Sequence, residues 1–197
     1  MNMLIFGFSR EFETLLTNEL ILQTPYNITL STNIPKMESK MVCNDRLNIL
    51  EGMLNDRVVI TKAVNGAGII CICNTYDDCL TKEVVQILKE SDVKRVVAVS
   101  IIETDSSTNV KRDVLESKTI KSHKEFADII RRSGKDYTIV CLSRHNNKDG
   151  GNNYLLTHEK MPFSGIQITV EGIVEFLVSI ASMIPERESF IEKYSSK

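Results

Sequence analysis

The stretch Ile69-Ile70-Cys71-Ile72-Cys73 is the segment from which the fold is most readily deduced. Five consecutive apolar residues are typical of a strand inside a parallel sheet, where helices cover both faces. The turn Asn65-Gly66-Ala67-Gly68 ends a predicted helix just before this run, and residues 80–90 have the spacing of an amphipathic helix just after it. Helices on both sides of a short buried strand predict βαβ units.

The same alternation extends in both directions along the chain. Apolar or β-branched runs predict strands, and apolar residues three and four apart predict helices. Strands are predicted at 3–6, 27–31, 41–43, 69–73, 95–100, 137–142 and 154–157, and helices at 10–22, 54–64, 80–90, 119–132, 170–183 and 185–194. No repeat or linker divides residues 1–197. We therefore predict one three-layer α/β domain with a mostly parallel, doubly wound sheet and helices on both faces.

Composition and charge exclude several classes of protein. Hydrophobic residues make up 42% of the chain and charged residues 25%, which is ordinary for a globular domain. The formal net charge is -2, so no overall positive field would attract nucleic acid or an anionic membrane. No apolar run approaches the roughly 20 residues of a membrane span. We expect a cytoplasmic protein with no membrane or nucleic-acid partner.

The cysteines predict neither disulfides nor a metal site. The chain has five, an odd number, and most lie inside apolar runs: Cys43, Cys71, Cys73, Cys79 and Cys141. A disulfide framework is unusual in a domain of this size, and no Cys or His pair has the spacing of a zinc site. We expect buried core thiols and no bound metal.

In doubly wound sheets, ligands bind beyond the carboxyl ends of the strands, where the strand order reverses. This rule directs attention to the residues that follow each predicted strand. They are the segments 7–12, 31–36, 44–45, 74–76, 100–103 and 143–145. The topology predicts that these segments line one crevice, although topology does not specify the chemistry there.

Four stretches are similar to one known family. They are Met3-Leu4-Ile5-Phe6-Gly7, the strand 93–100 (VKRVVAVS), the segment 129–140 (IIRRSGKDYTIV), and Pro162-Phe163-Ser164-Gly165. Together they resemble the atypical short-chain dehydrogenases/reductases, the NmrA-like and biliverdin-reductase-B-like NAD(P)-binding proteins. The resemblance extends over nearly the whole chain and implies a Rossmann fold, an NAD(P) cofactor and oxidoreductase chemistry.

The phosphate-binding loop departs from the family pattern. Where the family has G-A-T-G-x-x-G, this chain reads Gly7-Phe8-Ser9-Arg10-Glu11-Phe12-Glu13 and keeps the first glycine. The resemblance assigns cofactor binding to Gly7, Phe8, Ser9, Arg10 and Phe12. A side chain at position 10 obstructs the pyrophosphate, and the carboxylate of Glu13 competes with it for the positive helix end. Alternatively, the guanidinium of Arg10 could pair with a phosphate that lies in a displaced position. A further possibility is that Phe8 and Phe12 fill the crevice in place of a cofactor.

Further cofactor contacts follow from the resemblance. Ser31-Thr32-Asn33 has no acid to hold an NAD ribose, and the family's NADP-type arginine falls near Asn33, with Lys36 as the nearest base. This favours NADP slightly over NAD, although Lys36 is more readily explained as a solvated surface lysine. Asp45 is at the family's adenine-contacting position, and Asn74 and Thr75 follow the fourth strand, where they could contact a ribose. Turn formation also explains these three polar residues.

The catalytic pair of the wider superfamily is replaced. Its Tyr-x-x-x-Lys positions hold Thr119 and His123, so the tyrosine that supplies a proton is missing. His123 could substitute as a proton donor, but a histidine between Ser122 and Lys124 also fits an exposed surface. Ser100 matches the serine that follows the fifth strand and could polarise a substrate carbonyl.

The sequence leaves two functions open. One is an atypical NAD(P)-binding oxidoreductase-like protein, which if active would be an NAD(P)H-dependent reductase of a small carbonyl or quinone-like substrate. The loss of the glycines and of the Tyr-x-x-x-Lys pair argues against ordinary activity. The alternative is a non-catalytic Rossmann scaffold that binds a partner or acts as a sensor, with no cofactor. The apolar helix at 170–183 either covers the sheet or forms a homodimer face.

Overall fold

The computed structural model describes residues 1–6, 10–32, 41–52, 56–73, 78–103, 125–144, 155–158, 170–182 and 191–195. The strands are β1 Asn2–Phe6, β2 Asn27–Thr32, β3 Leu47–Glu51, β4 Ile69–Cys73, β5 Arg95–Glu103, β6 Asp136–Arg144, β7 Leu155–His158 and β8 Ile191–Ser195. The helices are α1 Arg10–Gln23, α2 Arg57–Val64, α3 Asp78–Lys89, α4 at 125–131 and α5 Val170–Ser182.

All eight strands join one sheet in the order β3-β2-β1-β4-β5-β6-β8-β7. The strands β1 to β6 and β8 pair in parallel, while β7 pairs antiparallel with β8. Met3 of β1 is the register partner of Ile28 on one side and of Ile69 on the other. The chain therefore builds outward from β1 to β3 and then crosses back to β4, which reverses the strand order between β1 and β4. The predicted doubly wound, mostly parallel sheet is confirmed.

Helices cover both faces of the sheet and divide its core in two. On one face α1 and α5 pack against alternate residues of the central strands, such as Ile5 and Cys71. On the other face α2, α3 and α4 pack against the residues between them, such as Leu4 and Ile70. All four of these strand residues are fully buried. Burial on both faces explains why the strands are continuously apolar rather than alternating.

Local signals set the ends of two helices. The Asp56 carboxylate accepts a hydrogen bond from the Val58 amide at 2.8 Å and caps α2, so this helix begins later than the predicted residue 54. After α2, Gly66 has a φ of 81°, and after α4, Gly134 has a φ of 74°. Only glycine adopts this left-handed conformation readily, which is why both helices end where the sequence predicted.

The predicted third strand at 41–43 is wrong, because β3 lies at Leu47–Glu51. The segment before it docks on helix α1 instead, where the Val42 amide donates to Asn18 Oδ1 at 2.9 Å. The side chains of Met41 and Val42 pack against the core as partly buried residues. Their apolar character reflects this docking, while Leu47 pairs with Ile28 in the sheet.

The predicted charged helix at 185–194 is also wrong, because Ile191–Ser195 forms β8. Ile191 pairs with Ile139 of β6, and Tyr194 pairs with Leu156 of β7. Pairing on both sides satisfies the backbone of β8, so long-range contacts override the helical spacing of the sequence. Residues 185–190 lie outside the described residues.

Two described cysteines differ in environment. Cys71 is fully buried in the core, as predicted, whereas Cys43 is exposed, which contradicts the expectation of a buried thiol. Cys43 belongs to the segment mistaken for a strand, so its burial was inferred from the wrong element. The side chains of Cys73, Cys79 and Cys141 lie outside the described residues.

The guanidinium of Arg46 holds the carboxyl end of α1. It donates to the carbonyl oxygens of Thr24 at 2.6 Å and Tyr26 at 2.9 Å, and also to that of Ile21. The last carbonyls of a helix have no partner within the helix and carry partial negative charge, so a cation there is stabilising. Arg46 thereby joins the turn before β3 to the connection between α1 and β2.

We predict that Arg46→Ala lowers the free energy of unfolding by about 1.5–3 kcal/mol, because the carbonyls lose charge-assisted hydrogen bonds. Urea unfolding measures the change, and Tm should fall by roughly 2–4 °C for each kcal/mol. The matched control is Arg57→Ala, which removes an exposed ion pair with Glu83 at 3.0 Å and should cost less than about 1 kcal/mol. Equal losses in the two variants would contradict this role for Arg46.

Candidate functional site

The candidate site lies at the carboxyl edge of the sheet, beside the reversal of strand order. β1 ends at Phe6 and α1 begins at Arg10, so three residues carry the chain from the strand into the helix. The amino end of α1 therefore lies at the edge where β1, β2 and β4 end. Unpaired backbone amides at a helix amino end favour an anion such as a phosphate. Arg10 is the first residue of this helix, and its contact with a phosphate stays a prediction.

Glu13, in the first turn of α1, is buried against strand β2. Its side chain is fully covered, and Thr32 Oγ1 at the end of β2 donates to Glu13 Oε2 at 2.9 Å. A glycine at this position would allow close contact of helix and strand. In this chain the carboxyl group of Glu13 lies between α1 and β2 and accepts the hydrogen bond of the Thr32 hydroxyl. It is held between α1 and β2 and is not exposed in the crevice beyond the strands.

Buried polar groups lie on both faces of the sheet near the carboxyl end of β2. Thr17 lies one turn after Glu13 on α1 and is fully buried. Ser31 is also fully buried, but it precedes Thr32 in the strand and therefore faces the other side of the sheet, where its register partners Phe6 and Leu50 pack with α2 and α3. Within the described residues, the hydroxyl oxygens of Thr17 and Ser31 have no hydrogen-bond partner. An unsatisfied buried hydroxyl is costly, so such groups in a native structure call for an explanation. Apart from the position of Glu13, no sequence signal indicated these buried polar groups.

Phe12, a predicted cofactor-binding residue, is a core residue. Its side chain is 5% exposed and belongs to the hydrophobic cluster that α1 and α5 form on the sheet, with Leu16 and Leu20. Its contribution is therefore to the packing of α1 against the sheet and α5.

Asp45, predicted to contact adenine, is not brought to the carboxyl edge. It is exposed in the turn before β3, at the amino edge of the sheet. The prediction depended on the misplaced strand at 41–43. With β3 at Leu47–Glu51, the residues at its carboxyl end are Glu51 and Gly52. Glu51 is thus a candidate that sequence reasoning missed, and the alternation Leu47-Asn48-Ile49 was the signal that could have located it.

Ser100, the candidate for polarising a substrate carbonyl, lies within β5. This strand continues to Glu103, so Ser100 does not follow it as predicted. However, β4 pairs with β5 as far as Cys73, which is opposite Val99. Ser100 is therefore one residue beyond the end of β4 and reaches the edge on that side.

The remaining predicted site residues lie outside the described residues. They are Gly7, Phe8, Ser9, Asn33, Lys36, Asn74, Thr75 and His123, while for Arg10 and Ser100 the backbone is described. Their assignments stay predictions.

A charged side chain, that of Arg95, lies at the amino edge of the sheet, opposite the candidate site. Arg95 opens β5 at the amino edge and donates to Thr138 Oγ1 at 3.3 Å. Burial lowers the pKa of its guanidinium from the ordinary value, and the nearby Asp136 carboxylate opposes that shift.

The described part of the chain holds neither a metal centre nor a membrane span. Among those residues, no group of three or more His, Cys, Asp or Glu side chains could hold a metal ion. No helix there is long and apolar enough to cross a membrane.

A parallel sheet whose order reverses between β1 and β4, with a helix amino end at the reversal, defines a Rossmann-type dinucleotide-binding architecture. A family model described as NAD(P)H-binding matches residues 14–183, and the chain belongs to this NAD(P)H-binding family. The resemblance to the short-chain dehydrogenase type is confirmed at this level. The match begins just after Glu13, so the altered glycine segment precedes it.

Solved structures share the fold over the full length. A short-chain dehydrogenase/reductase from Veillonella parvula has a TM-score of 0.80 at 20% identity, covering 99% of this chain and 94% of that one. A structure of that type from the same organism in complex with NADP has a TM-score of 0.80 at 18% identity, with the same coverage. ChuY, an anaerobillin reductase from Escherichia coli, has a TM-score of 0.73 at 13% identity, covering 100% and 97%. No curated protein matches the chain.

We predict that Thr32→Val lowers the free energy of unfolding by about 1–3 kcal/mol, because it removes the hydrogen bond that the hydroxyl donates to the buried carboxyl group of Glu13. Ser31→Ala is the control, since it removes a buried hydroxyl with no partner among the described residues and should be neutral or stabilising. Urea unfolding measures both. A Thr32→Val variant as stable as the parent would show that this hydrogen bond does not hold α1 to β2.

Proposed function

We propose that this protein binds an NAD(P) dinucleotide at the carboxyl edge and is an oxidoreductase-like member of the short-chain dehydrogenase type. The observation that carries the proposal is the position of the α1 amino end, at the reversal of strand order beside β1 and β4. In doubly wound dinucleotide-binding sheets the pyrophosphate lies at such a helix end. Glu13 fits this arrangement because Thr32 engages its carboxyl group, and the covered side chain does not project toward the phosphates.

In this proposal the chain supplies binding and orientation. Gly7, Phe8 and Ser9 form the turn beneath the pyrophosphate, and Arg10 at the first position of α1 pairs with a phosphate oxygen. Asn74 and Thr75, which follow β4, hydrogen-bond a ribose. Bound NAD(P)H would supply the hydride. Ser100 donates a hydrogen bond to the carbonyl oxygen of the substrate, with His123 as the proton donor.

A non-catalytic scaffold is the second candidate, and Glu13 favours it. A buried carboxyl group in place of the packing glycine sets the spacing of α1 and β2 without any ligand. The negative charge in the first turn of α1 also competes with a pyrophosphate for the helix dipole. In this function the edge would bind a protein partner or no ligand. Homodimerisation and a cytoplasmic location stay predictions in both functions.

Dinucleotide binding separates the two functions. We predict that NADH or NADPH at about a hundred times its dissociation constant stabilises the protein by roughly 2.7 kcal/mol, a rise in Tm of several degrees. Thermal melting detects this rise, and titration of NADH fluorescence confirms it without a tryptophan background, because the chain contains no tryptophan. ATP at the same concentration controls for adenine and phosphate binding. No response to either dinucleotide would overturn the proposal and leave the scaffold.

Catalysis requires a second experiment. One fold neighbour is named as a reductase of an anaerobillin, so we would supply an anaerobillin and, separately, a quinone with NAD(P)H. We expect slow oxidation of the cofactor that Ser100→Ala reduces by about a hundredfold in kcat, because an electrostatic donor is lost. His123→Gln should reduce kcat and alter its pH profile. The rate at which the absorbance of NAD(P)H falls gives kcat for the parent protein and for both variants. Full activity in both variants would contradict these roles.

A further inference from the structure

Strands β5 and β6 extend past the carboxyl edge farther than the strands beside them. The pairing of β4 with β5 ends at Cys73, and the pairing of β8 with β6 ends opposite Cys141. The register of β5 with β6 continues beyond both points and joins residues 101–103 to residues 142–144. Within the described part of the chain, these residues therefore form a two-stranded ribbon that projects at the candidate site. We call it the β5–β6 ribbon.

Strand alternation assigns the residues at the base of the ribbon to the two faces of the sheet. Successive residues of a strand belong to opposite faces, so every second residue shares a face. Ala98 of β5 and Ile139 of β6 belong to the core cluster that α2, α3 and α4 cover. Counting in twos from these residues places Ser100 of β5 and Ser143 of β6 on the same face. Two hydroxyl-bearing residues thus lie in neighbouring strands, on one face of the carboxyl edge.

Helix α4 also belongs to this face. Its residues Phe126 and Ile130 are buried in the cluster that contains Ala98 and Ile139. The last turn of α4 leads into β6 at the amino edge, so its first turn lies nearer the carboxyl edge. The proposed proton donor, His123, comes two residues before α4 in the sequence. The reaction of the proposed function is therefore assigned to the face that holds Ser100 and Ser143.

The two serine positions are separated diagonally across the strands. Ser100 is the register partner of Cys141, and Ser143 is two residues farther along β6. Two residues along a strand cover about 6.6 Å and neighbouring strands are about 4.8 Å apart, so the two positions are about 8 Å apart. Because a hydroxyl group donates over about 2.8 Å, a ligand whose two oxygen atoms are about 5–8 Å apart can reach both serines. A ligand with a single oxygen acceptor can use one of them at a time.

We propose that Ser143 is a specificity-determining residue that selects substrates with two carbonyl oxygens, such as cyclic diketones. The inference rests on the proposed function and deepens it, because it names the substrate class of the same site. Ser100 donates to the carbonyl oxygen that is reduced, and Ser143 donates to the other carbonyl oxygen. The remaining residues of this face, Ile102 and Cys141, are apolar and suit the carbon framework between the two oxygens.

The second carbonyl group takes no part in the reduction. The carbonyl carbon beside Ser100 accepts the hydride of NAD(P)H and its oxygen accepts a proton, which yields a hydroxyketone and NAD(P)+. The hydrogen bond from Ser143 serves recognition instead. A site built to hydrogen-bond a particular oxygen discriminates against an analogue that lacks it, because the polar group of the site then loses its partner.

The test compares cyclohexane-1,4-dione with cyclohexanone, which lacks the second carbonyl oxygen. Calorimetry measures the dissociation constant of each ketone for the protein saturated with NAD(P)+, so no turnover occurs. We expect the dione to bind on the order of tenfold more tightly, because it makes one more hydrogen bond. The two equivalent carbonyls of the dione account for only about twofold of this ratio.

Ser143→Ala should lower the ratio of the two dissociation constants to about twofold, because the second hydrogen bond is lost. Ser143→Thr keeps a hydroxyl group and should keep the ratio. A purely structural role of Ser143 would weaken both ketones alike and leave the ratio unchanged. Ser182→Ala is the matched control, because it removes a hydroxyl of the same kind from α5, where it donates to the Val178 carbonyl at 2.8 Å. This variant should keep the ratio of the parent.

Three results would overturn the inference while the proposed function stands. They are dissociation constants of the two ketones within about twofold in the parent, binding of neither ketone, and an unchanged ratio in Ser143→Ala. Failure of the protein to bind either dinucleotide would instead overturn the proposed function, and the inference with it.

Discussion

The arrangement of this protein depends on the burial of β1 on both faces and along both edges. Its backbone pairs with β2 on one side and β4 on the other, and its residues Leu4 and Ile5 are fully covered by opposite helix layers. Parallel neighbours cannot be joined by a tight turn, so each connection must cross a face of the sheet. With α1 on one face and α2 and α3 on the other, the order of strands reverses at β1. That reversal creates the edge at which the family binds its ligand.

Glu13 shows how one substitution changes the character of this edge. A glycine there would let α1 approach the sheet, and its loss would ordinarily place a solvated acid near the phosphates. The Thr32 hydroxyl instead engages the carboxyl group within the contact of α1 with β2. The hydrogen bond from Thr32 thereby joins the first turn of α1 to the end of β2. The departure from the glycine pattern thus concerns the contact of α1 with β2 as well as the predicted phosphate-binding turn.

The sequence predicted most of the sheet. Buried parallel strands such as Ile69–Cys73 are covered on both faces, so they appear in the sequence as continuous apolar runs that are easily recognised. Its two errors arose where apolar residues serve another purpose. Met41 and Val42 dock on α1, and the last segment pairs with β6 and β7 despite its helical spacing. The first error misplaced one candidate, since it directed attention to Asp45 at the amino edge of the sheet and away from Glu51, which ends β3 at the carboxyl edge.

By itself the sequence determined the fold class, the position of Arg10 at the start of α1, and the loss of the glycine pattern, because these depend on local periodicity and on the order of residues along the chain. The tertiary structure alone decided which groups meet at the edge. Glu13, Thr32 and Glu51 are distant in sequence and come together through the packing of α1 on β2 and the register of β2 with β3. Phe12 likewise joins a core cluster to which α1, α5 and the strands of the sheet all contribute. Charge and hydrogen bonding act across space, and linear spacing does not encode that proximity.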